Sequence, residues 1–224
     1  MALVQSVRPE QPAQEWGPMQ PPRRVSQLAA FKQPRFRAAA LGYFGHCWEL
    51  YALWALVPFL VARELERLGA ANSAQPWLSF AVIALGLPGC VLAGKWSRQI
   101  GSDRVACVAL ATSGALCLVY PLLGSASPWL LLVLLGVWGV SVIADSAQFS
   151  ALASATAPPE RLGAALAMMN AIGFGLTIPS IALVTALWSS QSLAVIWWLL
   201  PGPTLGLIAM RGFSAHTVSV DNRA

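Results

Sequence analysis

Charge is scarce in this chain: only 10% of its 224 residues are Asp, Glu, Lys or Arg, with nine acids and two histidines, while 57% are hydrophobic. A soluble domain carries roughly 25% charged residues, so the composition argues against one and makes lipid the fitting solvent. Cysteine is also sparse. Cys47, Cys90, Cys107 and Cys117 all fall inside apolar runs, with no C-x-x-C spacing and no His or acidic partner at metal-ligand distance. They read as small packing residues that report nothing about redox compartment, and no metal and no cofactor is expected. H-E-x-x-H, G-x-S-x-G, a paired intramembrane Asp set and a Cys-His arrangement are all missing, which makes an enzyme the least favoured class. Thr/Val alternation is missing too, so outer-membrane barrel strands are not expected.

What the chain does have is long apolar stretches, ten Trp residues and a mean hydropathy of +0.62. Six runs of ~20 residues are each long enough to cross a bilayer core: 38–61, 76–94, 105–123, 129–152, 163–188 and 193–210. The reading is therefore an all-α polytopic membrane protein with a transmembrane domain over 36–210. Residues 1–35 form a polar tail with Pro at 9, 12, 18, 21, 22 and 34. It is expected to be mobile, with a short interfacial helix near Val25–Lys32. The first apolar run begins near Ala38, too late for a cleaved signal peptide. A second tail covers 211–224.

The net charge of +5 would suit nucleic acid, but position argues otherwise. Arg8, Arg23, Arg24, Lys32, Arg35 and Arg37 all precede the first span, with little aromatic interleaving, so no nucleic-acid partner is expected. If that tail is cytoplasmic, Lys95, Arg98, Arg104, Arg161, Arg211 and Arg223 share its side, and twelve of fourteen basic residues lie inside. Only Arg63 and Arg67 fall outside, where Glu64 and Glu66 match them. This asymmetry predicts six spans with both termini cytoplasmic. Trp77, Trp96, Trp129 and Trp188 fall at expected interfaces.

Glu49 lies eleven residues into the first span, ~16 Å deep and close to the midplane. A charge there must be protonated, paired or turned to a wet cavity. His46 and Tyr43 share its face at i, i+3 spacing. That face can exchange protons or bind a polar solute, or it is a hydrogen-bonded cluster holding helices together. Asp145 is the second acid inside a span, on a face with Trp138, Ser141, Gln148 and Leu152. Its roles are a ligand or proton site, or an acceptor for the 153–162 loop that locks the cytoplasmic gate. In the fifth span Asn170, Gly173 and Thr177 can face inward together, and Pro179 should bend the helix. Gly86, Cys90 and Gly94 form a small-residue ridge, and Pro201-Gly202-Pro203 should interrupt the sixth helix.

Two segments carry a resemblance: Gly42-Tyr43-Phe44-Gly45-His46-Cys47-Trp48-Glu49-Leu50-Tyr51-Ala52, and Ala144-Asp145-Ser146-Ala147-Gln148-Phe149-Ser150 followed by Pro159-Glu160-Arg161-x-Gly163-x-Ala165-Leu166. They resemble the seventh helix and the tenth-to-eleventh helix region of a bacterial branch of the major facilitator superfamily. The likeness spans about 36–210, the C-terminal six-helix half of such a transporter. The turn Gly94-Lys95-Trp96-Ser97-Arg98-Gln99-Ile100-Gly101-Ser102-Asp103-Arg104 resembles that superfamily's cytoplasmic loop motif. Gly94 and Gly101 match it, Arg98 stands at its acidic position, and Asp103 with Arg104 would form a displaced pair.

The resemblance implies a half-transporter bundle in the bacterial inner membrane that moves a small solute; if a proton couples that movement, Glu49 near the midplane is the residue expected to carry it, with His46 tuning it. Its path would be lined by the first and fourth helices, with the third and sixth packing peripherally. The tail 1–35 resembles the linker between halves, which points to a truncated or split gene product. An N-terminal half or a second copy would then cover Glu49 and Asp145, otherwise open to lipid. The alternative is a truncated, non-transporting membrane fragment or an assembly subunit.

Overall fold

The computed structural model describes residues 27–221, and every regular element among them is helical. Most of the expected polar tail, residues 1–26, lies outside the described residues. Eight α-helices follow in order: α1 (Pro34–Arg67), α2 (Gln75–Ala84), α3 (Gly86–Ile100), α4 (Ser102–Leu122), α5 (Pro128–Ala144), α6 (Ser146–Thr156), α7 (Leu162–Gln191) and α8 (Pro201–Asp221). Short 3₁₀ segments at Gln27–Lys32, Asn72–Ala74, Pro159–Arg161 and Ser192–Leu199 join them. Five continuous helical stretches are long and apolar enough to cross a membrane: Pro34–Arg67, Asn72–Ile100, Ser102–Leu122, Pro128–Thr156 and Pro159–Phe213. That is the composition of a multi-pass membrane protein, and its outer surface agrees. Trp77, Phe80, Leu87, Trp129, Val133 and Ile178 are all exposed side chains, suited to lipid and not to water.

Helix α1 is the axis of the bundle. Along it α4 and α7 run parallel: Ser113 reaches Glu49 and Gly124, just past α4, accepts from Arg63, while Gly173 abuts Tyr43 and Trp188 lies tilted against Phe59. Helices α5 and α6 run antiparallel, since Trp138 meets Glu49 and Phe149 meets Gly42. So does α8, whose Gly202 and Gly206 pass Gly45 and Gly42 in turn. The fifth stretch therefore doubles back on itself, and the reversal is at Ser192, which has φ 49°. Among the described residues it is the one non-glycine with positive φ, a conformation an L-residue adopts only under constraint.

Element boundaries moved from the sequence reading for local reasons. Pro88 lacks an N–H and so leaves the Ala84 carbonyl without its helical partner, and the second span breaks there into α2 and α3. The expected loop 95–104 is almost wholly helical, with Gly101 at φ 95° making the whole turn between α3 and α4. The charged segment Arg63–Arg67 is the last turn of α1 and not a loop. The sixth span is interrupted as expected, as a 3₁₀ segment before Pro201, but α8 then continues through residue 210 to Asp221, into what read as a tail. At the other end, Phe31 packs edge-on to Phe36 (5.2 Å) and stacks on Phe44 (6.3 Å), binding the 3₁₀ segment to the bundle.

Two apolar clusters form the core. One gathers Leu50, Leu53, Leu56 and Leu60 of α1 with Tyr120, Leu131, Leu135 and Ile196; the other gathers Phe36, Tyr43 and Cys47 with Leu110, Phe149, Met169 and Met210. Between them along α1 lie His46 and Glu49. A thin polar layer thus crosses the middle of an otherwise apolar bundle.

Candidate functional site

The polar layer is built from three helices. Glu49 of α1 is 1% exposed, and three donors converge on its Oε1. Cys117 Sγ of α4 donates at 3.3 Å, Trp138 Nε1 of α5 donates at 2.9 Å, and the Ser113 hydroxyl of α4 donates in closest contact. Trp138 Nε1 also lies 3.0 Å from Ser113 Oγ, so Trp138, Ser113 and Glu49 Oε1 form a closed triangle of hydrogen bonds, with Cys117 bonded to the same oxygen from outside it. Helical spacing explains the arrangement: Ser113 and Cys117, at i and i+4, project from one side of α4 toward the same point. Every donor is neutral. The nest solvates the carboxyl group without supplying a cation.

One turn below, His46 Nδ1 sits 2.8 Å from Asp145 Oδ1, and both residues are 2% exposed. The two atoms are at ion-pair distance, but their line misses the direction an N–H···O bond needs. Asp145 is the single residue between α5 and α6, so the acid marks a break in the fourth long stretch. Tyr43 continues the layer, its ring centroid 6.0 Å from that of His46, and Phe149 closes it at 6.3 Å.

Several sequence expectations land inside this layer. Trp138, Ser141, Asp145, Gln148 and Leu152 are all buried, as their shared face requires. Ser141 bonds back to the Trp138 carbonyl (3.1 Å) and Thr177 to the Phe174 carbonyl (2.7 Å), so both hydroxyls are spent on their own helices. Asn170 does not join Gly173 and Thr177: it is exposed on α7. Tyr43, His46 and Glu49 fan apart around α1, because three residues advance a helix by 300° and not a full turn. Tyr43 meets α7, His46 meets Asp145, and Glu49 meets α4 and α5.

Four expectations are corrected. Asp145 does not accept from the 153–162 loop; its partner is His46. The third span is not peripheral, since α4 supplies two of the three donors to Glu49, and neither is the sixth, since α8 runs along α1 from Gly202 beside Trp48 to Phe213 under Arg35. Glu49 and Asp145 are not open to lipid, because the chain's own helices cover them. In the segment 94–104, Gly94 and Arg98 lie near the end of α3 and Gly101 makes the α3–α4 turn, but no ion pair among the described residues joins Asp103 to Arg104. Ser113 and Cys117 escaped the sequence reading. Their four-residue spacing was a signal, but Cys117 looked like packing and a lone Ser in an apolar helix commonly bonds its own backbone.

A third buried acid lies at the far end of α1. Glu64 is 0% exposed and is gripped by Arg63, in closest contact, and by Arg67 at 2.5 Å. The same guanidinium groups donate to the carbonyls of Gly124 (2.8 Å) and Ala126 (2.6 Å), which fastens α1 to the α4–α5 turn. Glu64 takes both arginines, whereas Glu66 is exposed. No protein-family profile, no curated protein and no solved structure matches this chain.

Proposed function

We propose that this chain is one half of a secondary transporter of the major facilitator type, making six membrane crossings with both termini cytoplasmic and moving a small solute. The observation that carries the reading is the polar layer: His46, Asp145 and Glu49 buried together halfway along α1, between two apolar clusters. Ionisable groups at that depth are costly and are the usual equipment of a proton pathway. Glu49 is held only by neutral donors, so it can take up and release a proton without breaking an ion pair. His46 stands one turn away as the exchange partner, and the Asp145 break lets α5 and α6 move separately. The reversal at Ser192 supports counting residues 159–213 as two crossings. The N-terminal half of the path would come from a partner chain or a second copy, and the chemistry is transport and not catalysis.

The second reading, an assembly subunit or fragment that transports nothing, draws on the same burial: all three groups are at most 2% exposed. The test reconstitutes the full chain, with whatever co-purifies, into vesicles carrying an interior pH dye and a panel of small solutes. Solute-dependent proton entry is expected, and Glu49→Gln should abolish uptake driven by a pH gradient while leaving solute exchange. Full proton-driven uptake by that variant removes the coupling role. Absence of any solute response in the unmodified preparation favours the subunit reading.

A further inference from the structure

We propose that the groove between α1 and α8 is a binding site for one anionic phospholipid, with an acyl chain in the groove and the phosphate on Arg37. The groove exists because two glycines let the helices cross closely. A Cβ on Gly45 would strike the Gly202 carbonyl, and a Cβ on Gly202 the Gly45 carbonyl. With side chains absent at the crossing and α7 flanking the other side of α1, a cavity of about 510 Å³ remains. Its walls are apolar: Leu41, Phe44 and Trp48 of α1, Leu176 of α7, Leu205 and Ile208 of α8.

A smaller hollow of about 190 Å³ at the first turns of α1 includes Arg37, and it shares Leu41 and Ala209 with the larger one. The two hollows adjoin along Leu41 and Ala209, with a cation lining the smaller one. From Arg37 to Trp48 the helix rises ~16 Å, about half of a ~30 Å hydrocarbon core, which is the depth of a single leaflet. Arg37 is exposed and enters no ion pair among the described residues. The same end of the bundle carries Lys32, Arg35, Arg104 and Arg211, against Asp103 and Glu160. A guanidinium group at that level suits a phosphate bearing net negative charge, while a zwitterionic headgroup leaves it half satisfied. A free solute has no use for an apolar trough this long.

Trp48 at the inner end of the trough supplies the probe. The full chain is reconstituted in phosphatidylcholine bilayers doped with equal amounts of acyl-brominated phosphatidylglycerol or acyl-brominated phosphatidylcholine. Quenching assigned to Trp48 is the difference between the unmodified chain and Trp48→Phe. Brominated phosphatidylglycerol should reach half-quenching at a roughly fivefold lower mole fraction, the contribution of one arginine near a surface. Arg37→Gln should erase that preference while leaving the quenching itself. Ala209→Phe, filling the junction of the two hollows, should reduce quenching by both lipids. Equal quenching by the two lipids, or a preference that survives Arg37→Gln, overturns the headgroup assignment. Trp48 shielded from both lipids means that a protein helix, from a second copy or a partner, fills the groove, and the proposal fails.

Discussion

Glu49 and Glu64 stand on the same helix, ~22 Å apart, and are almost equally buried, at 1% and 0% exposure. Their company is opposite. Glu64 is held by two arginines that also bind the carbonyls of the α4–α5 turn, so its charge is matched and its geometry is fixed from both sides. Glu49 is held by a serine, a cysteine and a tryptophan, none of which carries charge. A carboxylate clasped by two guanidinium groups that also hold a neighbouring turn serves the fold. A carboxyl group in a neutral nest has no cation to lose when it takes up a proton, which is the property a proton carrier needs.

That contrast is broken most severely at the charged end. Glu64→Ala leaves two guanidinium groups without their shared anion and unfastens α1 from the α4–α5 turn. It should destabilise the chain by about 3 kcal/mol, within the range for breaking a buried pair and reduced because both arginines are partly exposed. Thermal unfolding of the detergent-solubilised protein should register a fall on the order of 10 °C. If Glu64→Ala unfolds like the unmodified chain, the clasp is ornamental and the comparison collapses.

The neutral nest should respond less. Trp138→Phe deletes the indole donor shared by Glu49 and Ser113 and should cost about 1–2 kcal/mol, read from the same unfolding curves. Glu49→Gln keeps an oxygen that accepts from all three donors, so its stability should stay within about 1 kcal/mol even though proton-driven uptake is lost. A large loss of stability in that variant would assign Glu49 to the same structural role as Glu64. The smallest effect belongs to Glu66→Gln, whose exposed side chain enters no ion pair among the described residues; a change beyond about 0.5 kcal/mol would show that charge at this end matters apart from the clasp.

Much of this was legible in the chain itself. Apolar runs of bilayer length and the scarcity of charge set the helical, membrane-spanning class, because backbone groups in lipid must bond internally. The rarity of acids inside the runs singled out Glu49 and Asp145, and helical periodicity grouped Trp138, Ser141, Asp145 and Gln148 on one buried face. Periodicity says which residues of one helix lie together, however, and nothing about which helix they meet. That Ser113 and Cys117 turn to Glu49, that His46 faces Asp145, and that Glu64 takes both arginines while Glu66 takes neither were decided by how α4, α5 and the turn after α4 pack on α1. The break at Pro88 is local, since a missing N–H acts on its own helix, but hydropathy reads 76–94 as one unbroken span. The turn over 189–192 was readable from its short polar run, but the positive φ at Ser192 and the trough beside Gly45 and Gly202 were not, because a strained turn and a close crossing exist only once two helices are brought against each other.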